Sequence, residues 1–97
     1  MGQIYAVYEL FPESTDIDLQ GVIAKVPEIL PAAVKYNDAD TKIAPVAFGL
    51  EKVIVAFIID DSDESAGSKL EEALAGIDGI ETVECTQNTV QIGRAHV

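Results

Sequence analysis

Seven uncharged apolar residues run without a break from Val53 to Ile59, between Glu51-Lys52 on one side and Asp60-Asp61 on the other. The run is rich in β-branched side chains and is bounded by charge, which predicts a strand. A strand with one wet face alternates apolar and polar positions. Here Val53, Val55, Phe57 and Ile59 line one face while Ile54, Ala56 and Ile58 line the other, so both faces call for cover and the strand belongs in the middle of a sheet. Gln3 to Phe11 predicts a first strand, with Ile4, Ala6, Tyr8 and Leu10 on one face and Tyr5, Val7 and Phe11 on the other, ended by Pro12. Leu19, Val22, Ile23 and Val26 follow helical spacing, which predicts a helix over about 16–27, opened by Asp16 or Asp18 and stopped by Pro27 and Pro31. Val34 to Asp40 reads as a weaker strand whose Lys35 and Asn37 suit a sheet edge. Leu70, Ala73, Leu74 and Ile77 give a second helical stripe over 68–78, with Ser68 and Glu71 as a capping box and Gly79 as the C-terminal cap. Ile80 to Ile92 is the last strand, its alternation decaying after Thr86. Leu19, Ile23, Leu70 and Leu74 are the expected contacts between helices and sheet, and Cys85, in mid-strand, is expected to be buried and inert.

The order strand, helix, strand, strand, helix, strand is a split β-α-β unit repeated. Right-handed crossovers place both helices on one side. The predicted fold is therefore α+β: a ferredoxin-like β-α-β-β-α-β sandwich, a four-stranded antiparallel sheet with two helices on one face and the other face open. Between the second and third strands lies a connector, Ile43 to Leu50, shaped by Pro45 and Gly49. It carries Ile43, Val46 and Phe48, large side chains that a solvated loop has no reason to hold. Either they fold back on the core or they meet a partner. Of the two extremes, Phe48 is expected to be partly buried and Ile43 exposed.

Ninety-seven residues make one domain, taken as residues 1–92, with a frayed or non-native tail at 93–97. A hydrophobic content of 48% supports a true core, and a net charge of −11 disfavours direct binding to a nucleic-acid backbone. One cysteine and one histidine, His96, give no metal-ligand cluster, no cofactor site and no hydrolytic constellation. The acidic stretch Asp60-Asp61-Ser62-Asp63-Glu64 lacks the spacing and terminal glutamate of a calcium loop. There is no glycine-rich phosphate loop, no signal sequence before the first strand and no apolar run near the ~20 residues that cross a bilayer. A cytoplasmic, non-enzymatic binding domain is the reading that remains.

The segment Lys42-Ile43-Ala44-Pro45-Val46-Ala47-Phe48-Gly49-Leu50-Glu51-Lys52 resembles the signature of translation elongation factor one-beta in its short archaeal form. Met1-Gly2, Phe11-Pro12-Glu13-Ser14 before Asp16-Ile17-Asp18-Leu19, Ala66-Gly67-Ser68 leading Leu70-Glu71-Glu72-Ala73-Leu74, and Ile77-Asp78-Gly79-Ile80-Glu81-Thr82-Val83-Glu84 agree in order and spacing. The resemblance implies a guanine nucleotide exchange factor that promotes GDP release from elongation factor one-alpha, the GTPase that delivers aminoacyl-tRNA, by engaging its GDP-bound and nucleotide-free forms as a monomer. It also implies that Ile43, Pro45, Val46 and Phe48 pack against the GTPase, with Lys42, Gly49 and Lys52 in the same motif. Eukaryotic members place a lysine near the C-terminus that reaches toward the Mg²⁺ site. Thr86 to Gln91 holds none, so either Arg94 substitutes or other distortions release the nucleotide. A ferredoxin-like regulatory or adaptor domain without exchange activity is the alternative.

Overall fold

The computed structural model describes residues 2–60 and 65–91. In chain order its elements are β1 (Gln3–Pro12), α1 (Leu19–Lys25) running into a 3₁₀ turn (Val26–Glu28), β2 (Val34–Pro45), β3 (Glu51–Asp60), α2 (Ala66–Ala75) and β4 (Ile80–Gln91). The strands form one sheet in the order β2-β3-β1-β4, and every neighbouring pair is antiparallel. This is the ferredoxin-like arrangement expected, with the long apolar strand β3 in the interior and β2 at an edge.

One face of the sheet makes the core. Register pairs Tyr8 with Val55, Ala6 with Phe57 and Leu10 with Val53, so the even positions of β1 and the odd positions of β3 share a face. Val22 and Val26 of the first helical segment and Ala66, Leu70 and Leu74 of α2 close over it. Leu70 and Leu74 are fully buried as predicted. Leu19 and Ile23 are only half-buried and pack on the margin, while Val22 and Val26 take the central places. Phe57 sits between two tyrosines, with ring centroids 5.9 Å from Tyr8 and 5.6 Å from Tyr36. On the opposite face Ile54 and Ile58 are half-buried beside Tyr5 and Val7, and Glu9 pairs with Lys52 at 3.0 Å.

Several boundaries differ from the sequence reading. The first helix starts at Asp18, whose side chain accepts from the Gln20 N–H at 3.1 Å, and Asp16 belongs to the preceding turn. The second begins earlier than the Ser68 capping box implies. Ala66, Leu70 and Leu74 form its buried stripe and Ser65 occupies the cap position, which leaves Ser68 in the first helical turn. That helix ends on Gly76, so Gly79 is not its cap. Gly79 instead turns the chain into β4 at φ +96°, where an added Cβ would lie 2.9 Å from Ile17 Cγ2. Cys85 is exposed rather than buried, because β4 is the second edge strand and the helices leave it uncovered there. A bulge at Thr86 explains the decayed alternation: Tyr8 pairs with Cys85 but Val7 pairs with Gln87.

Candidate functional site

The first three residues of the segment expected to be a connector are strand, and Val46 to Leu50 form the turn. Ile43 to Pro45 continue β2 and pair with Glu51 to Val53, and Pro45 is tolerated because it lies on an edge. A larger irregularity sits upstream. Asn37 pairs with Ala56 and Lys42 with Ile54, so Asp38 to Thr41 bulge out of the ladder. Asp40 fastens the bulge, its Oδ2 accepting from the Tyr5 hydroxyl at 2.7 Å and from Asn37 Nδ2 at 3.0 Å, while the Tyr36 and Thr41 hydroxyls bond to each other. Beyond the bulge, β2 and β3 form an arm that carries Lys42 to Lys52.

The tip of that arm is a tight turn. The Leu50 N–H donates to Ala47 O and the Val46 N–H to Leu50 O, both at 2.9 Å. Phe48 has φ +55° and Gly49 φ +80°, the pair of positive angles found in a type I′ hairpin turn. Glycine takes such an angle freely, but a bulky side chain there is an outlier with a cost on the order of 1–3 kcal/mol. The Phe48 side chain gains no packing in return, since the residue is 99% exposed. The expectation that Phe48 is partly buried is thus overturned: the turn points its ring away from the body. Val46, at 46%, and Ile43, at 37%, are the other large apolar residues left exposed.

Alternation splits the remaining residues between the two faces of the arm. Ile43 and Pro45 lie on the helix-bearing side. There Ile43 and Gly49 border a depression of about 240 Å³ walled by Pro12, Thr15, Ile17 and Leu19. Lys42 and Val46 lie on the open side, where Val46 borders a second depression of about 210 Å³ with Phe11, Pro12, Leu50 and Glu84. Lys42 and Pro45 are exposed. Lys52 is half-buried in its ion pair with Glu9, its ammonium 5.7 Å from the centroid of the Phe11 ring, so it stiffens the base of the arm. Lys42, Ile43, Pro45, Val46, Phe48 and Gly49 are therefore gathered at one end of the molecule, the end where β1 finishes and β4 begins. The described part of β4 finishes at the other end, with Gln91 opposite Gln3, roughly 30 Å away by the rise of a ten-residue strand. Arg94 and the rest of 93–97 lie outside the described residues.

The strain at Phe48 was not readable from the sequence, where Phe48-Gly49 carries only the glycine half of a turn signal. Among the described residues no group of three metal-ligating side chains converges. No helix is long and apolar enough to cross a membrane among the described residues. The arrangement leaves an exposed apolar tip, Phe48 with Val46 and Ile43 behind it.

Comparison with known proteins places the chain in a family. Residues 5–90 match the family model described as the EF-1 guanine nucleotide exchange domain. The chain is 36% identical over 84 residues to the protein named elongation factor 1-beta of Methanosarcina mazei, covering 87% of this chain and 92% of that one. It is 33% identical over 86 residues to the elongation factor 1-beta of Methanothermobacter thermautotrophicus, covering 89% and 93%. The elongation factor 1-beta of Halobacterium salinarum is 36% identical over 83 residues, covering 86% and 91%.

Proposed function

The chain belongs to the family of EF-1 guanine nucleotide exchange domains, and on that premise we propose that it releases GDP from elongation factor one-alpha by inserting the β2–β3 tip into the GTPase. It acts in the cytoplasm as a monomer and contributes no covalent step. The mechanism is a linkage between two binding equilibria. A factor that binds the nucleotide-free GTPase more tightly than the GDP-bound form lowers the affinity for GDP by the same ratio. A contact surface already formed in the free factor favours docking, and the observation that carries this reading is Phe48, held at φ +55° and 99% exposed. A pre-set turn spends its ordering cost during folding, so less is lost on docking. Val46 and Ile43, on opposite faces behind the tip, widen the contact, and the Glu9–Lys52 pair with the Phe11 ring keeps the arm from folding flat.

The test is a chase experiment. The GTPase is loaded with fluorescent GDP, an excess of unlabelled GDP is added, and release is followed with the factor at catalytic amounts. Wild-type protein should accelerate release. Phe48→Ala should lose about 1–3 kcal/mol of binding, roughly fivefold to 150-fold in the concentration needed, as anchors at interface centres do. If the two proteins bind and GDP release is unchanged, the adaptor reading replaces this one.

A further inference from the structure

A larger groove opens beside the arm, between the β1–α1 loop and the α2–β4 turn. The Glu13 N–H donates to Gly79 O at 2.9 Å and ties these two walls together. The groove has a volume of about 600 Å³, and its floor is apolar: Ile17, Val22, Ile29 and Ile77. Its rim is acidic, with Glu13, Asp16, Asp18 and Asp78 against the single Lys25. Among the described residues none of these carboxylates is held in an ion pair, and all four residues are exposed. Asp18 is partly committed as the helix cap, leaving Glu13, Asp16 and Asp78 open to a visitor.

A hard cation is a poor fit for this shape, because it asks for oxygen on every side and the floor is aliphatic. An extended protein segment fits better, its aliphatic side chain on the floor and its ammonium or guanidinium groups on the rim. The groove is also continuous with the tip region: Ile17 and Asp18 wall both it and the depression bordered by Ile43 and Gly49. We infer that this groove receives a second segment of the same GTPase, one in which lysine or arginine flanks an aliphatic residue. The inference rests on the exchange reading and adds a steering contact to it. A rim with four carboxylates to one ammonium raises the rate of encounter with a positively charged partner, and salt screens that gain.

The experiment combines Glu13→Gln, Asp16→Asn and Asp78→Asn, three exposed side chains whose loss should leave the melting point unchanged. Association with the GDP-bound GTPase is then timed at two ionic strengths. At about 0.1 M salt the variant should associate about tenfold more slowly than wild type, and near 1 M the two should converge as the Debye length shrinks to roughly 3 Å. A control makes the same charge change outside the groove, with Glu28→Gln, Asp38→Asn and Glu72→Gln. If the control slows association equally, net charge and not the groove is responsible, and the inference is overturned. It is likewise overturned if the groove variant associates at the wild-type rate while wild type exchanges normally. If wild type neither binds nor accelerates GDP release, the exchange reading fails first and takes this inference with it.

Discussion

Phe48 and Phe57 stand nine residues apart, on either side of the charged pair Glu51-Lys52, and meet opposite fates. Phe57 is fully buried, edge-on to Tyr8 and tilted against Tyr36. Phe48 is almost wholly in solvent, on a turn that suits glycine better than phenylalanine. Hydrophobicity does not separate them; position in the ladder does. Phe57 falls in step with Val53, Val55 and Ile59 on the face that the helices cover, and Phe48 sits where the ladder has ended. An apolar residue placed at a strained, exposed turn stabilises neither strand nor core, which is why its purpose has to be sought in a partner.

Phe57→Ala should be the most damaging of these substitutions. With two aromatic neighbours and no exposure, truncation should cost about 3–5 kcal/mol in denaturant unfolding, the range for Phe→Ala in packed cores. A domain of this size has a total stability of the same order, so the variant should be largely unfolded at modest denaturant. A loss under about 1 kcal/mol would mean that the sheet does not pack as described, and the contrast with Phe48 would collapse.

The buried half can be sharpened by pH. The Tyr8 hydroxyl donates to Glu71 Oε2 at 3.2 Å. Burial first, then the charges of Glu71 and Cys85, push its ionisation well above the ordinary 10.0. Below pH 10 the phenol is protonated in the folded and unfolded chains alike. As pH rises past 10 the unfolded chain releases the proton and the folded one keeps it, so stability falls with rising pH, by up to about 1.4 kcal/mol per unit. Tyr5 is raised in the same direction by its hydrogen bond to Asp40 and adds to the slope. Tyr8→Phe keeps the ring against Phe57 and should make the alkaline slope shallower. Equal slopes in the two proteins would show that Tyr8 is not held neutral.

The same contrast explains which parts of the fold were legible. Strands β1 and β3 and the stripe of α2 were readable because burial imposes a period on many residues at once, so single errors do not move the answer. Features decided by one residue were not. Ser68-Lys69-Leu70-Glu71 satisfies the capping pattern, yet burying Ala66 starts the helix two residues before it. Cys85 looks like a core residue until strand order puts β4 at an edge. Pro45 suggested a break, and edge pairing absorbed it. The bulge at Asp38 to Thr41 depends on Tyr5, thirty-five residues away from Asp40 in the chain, a contact no local pattern announces. At the candidate site the residue types were legible from the family resemblance, and the left-handed backbone at Phe48 was not. The carboxylate groove was missed because its walls come from segments some sixty residues apart, brought together by contacts such as the Glu13–Gly79 bond.

The smallest effect tests the exposed half most directly, by comparing Phe48→Gly with Phe48→Ala. Both remove the ring, so both should reduce exchange. They differ in backbone. Alanine at φ +55° keeps the clash of its Cβ with the carbonyl oxygen, worth roughly 1–2 kcal/mol for an L-residue in that region, whereas glycine is free of it. Against this, glycine has more conformational freedom to lose on folding, roughly 0.5–1 kcal/mol. Relief of the clash outweighs that entropy, so the glycine variant should be the more stable by a few tenths to about 1 kcal/mol, read as a higher melting point. It should nonetheless be no better an exchange factor than the alanine variant, since the anchor is gone from both. A glycine variant clearly less stable than the alanine one would mean that the turn relaxes out of the left-handed region once the ring is removed. Phe48 would then be presented by its own side chain and not by the hairpin.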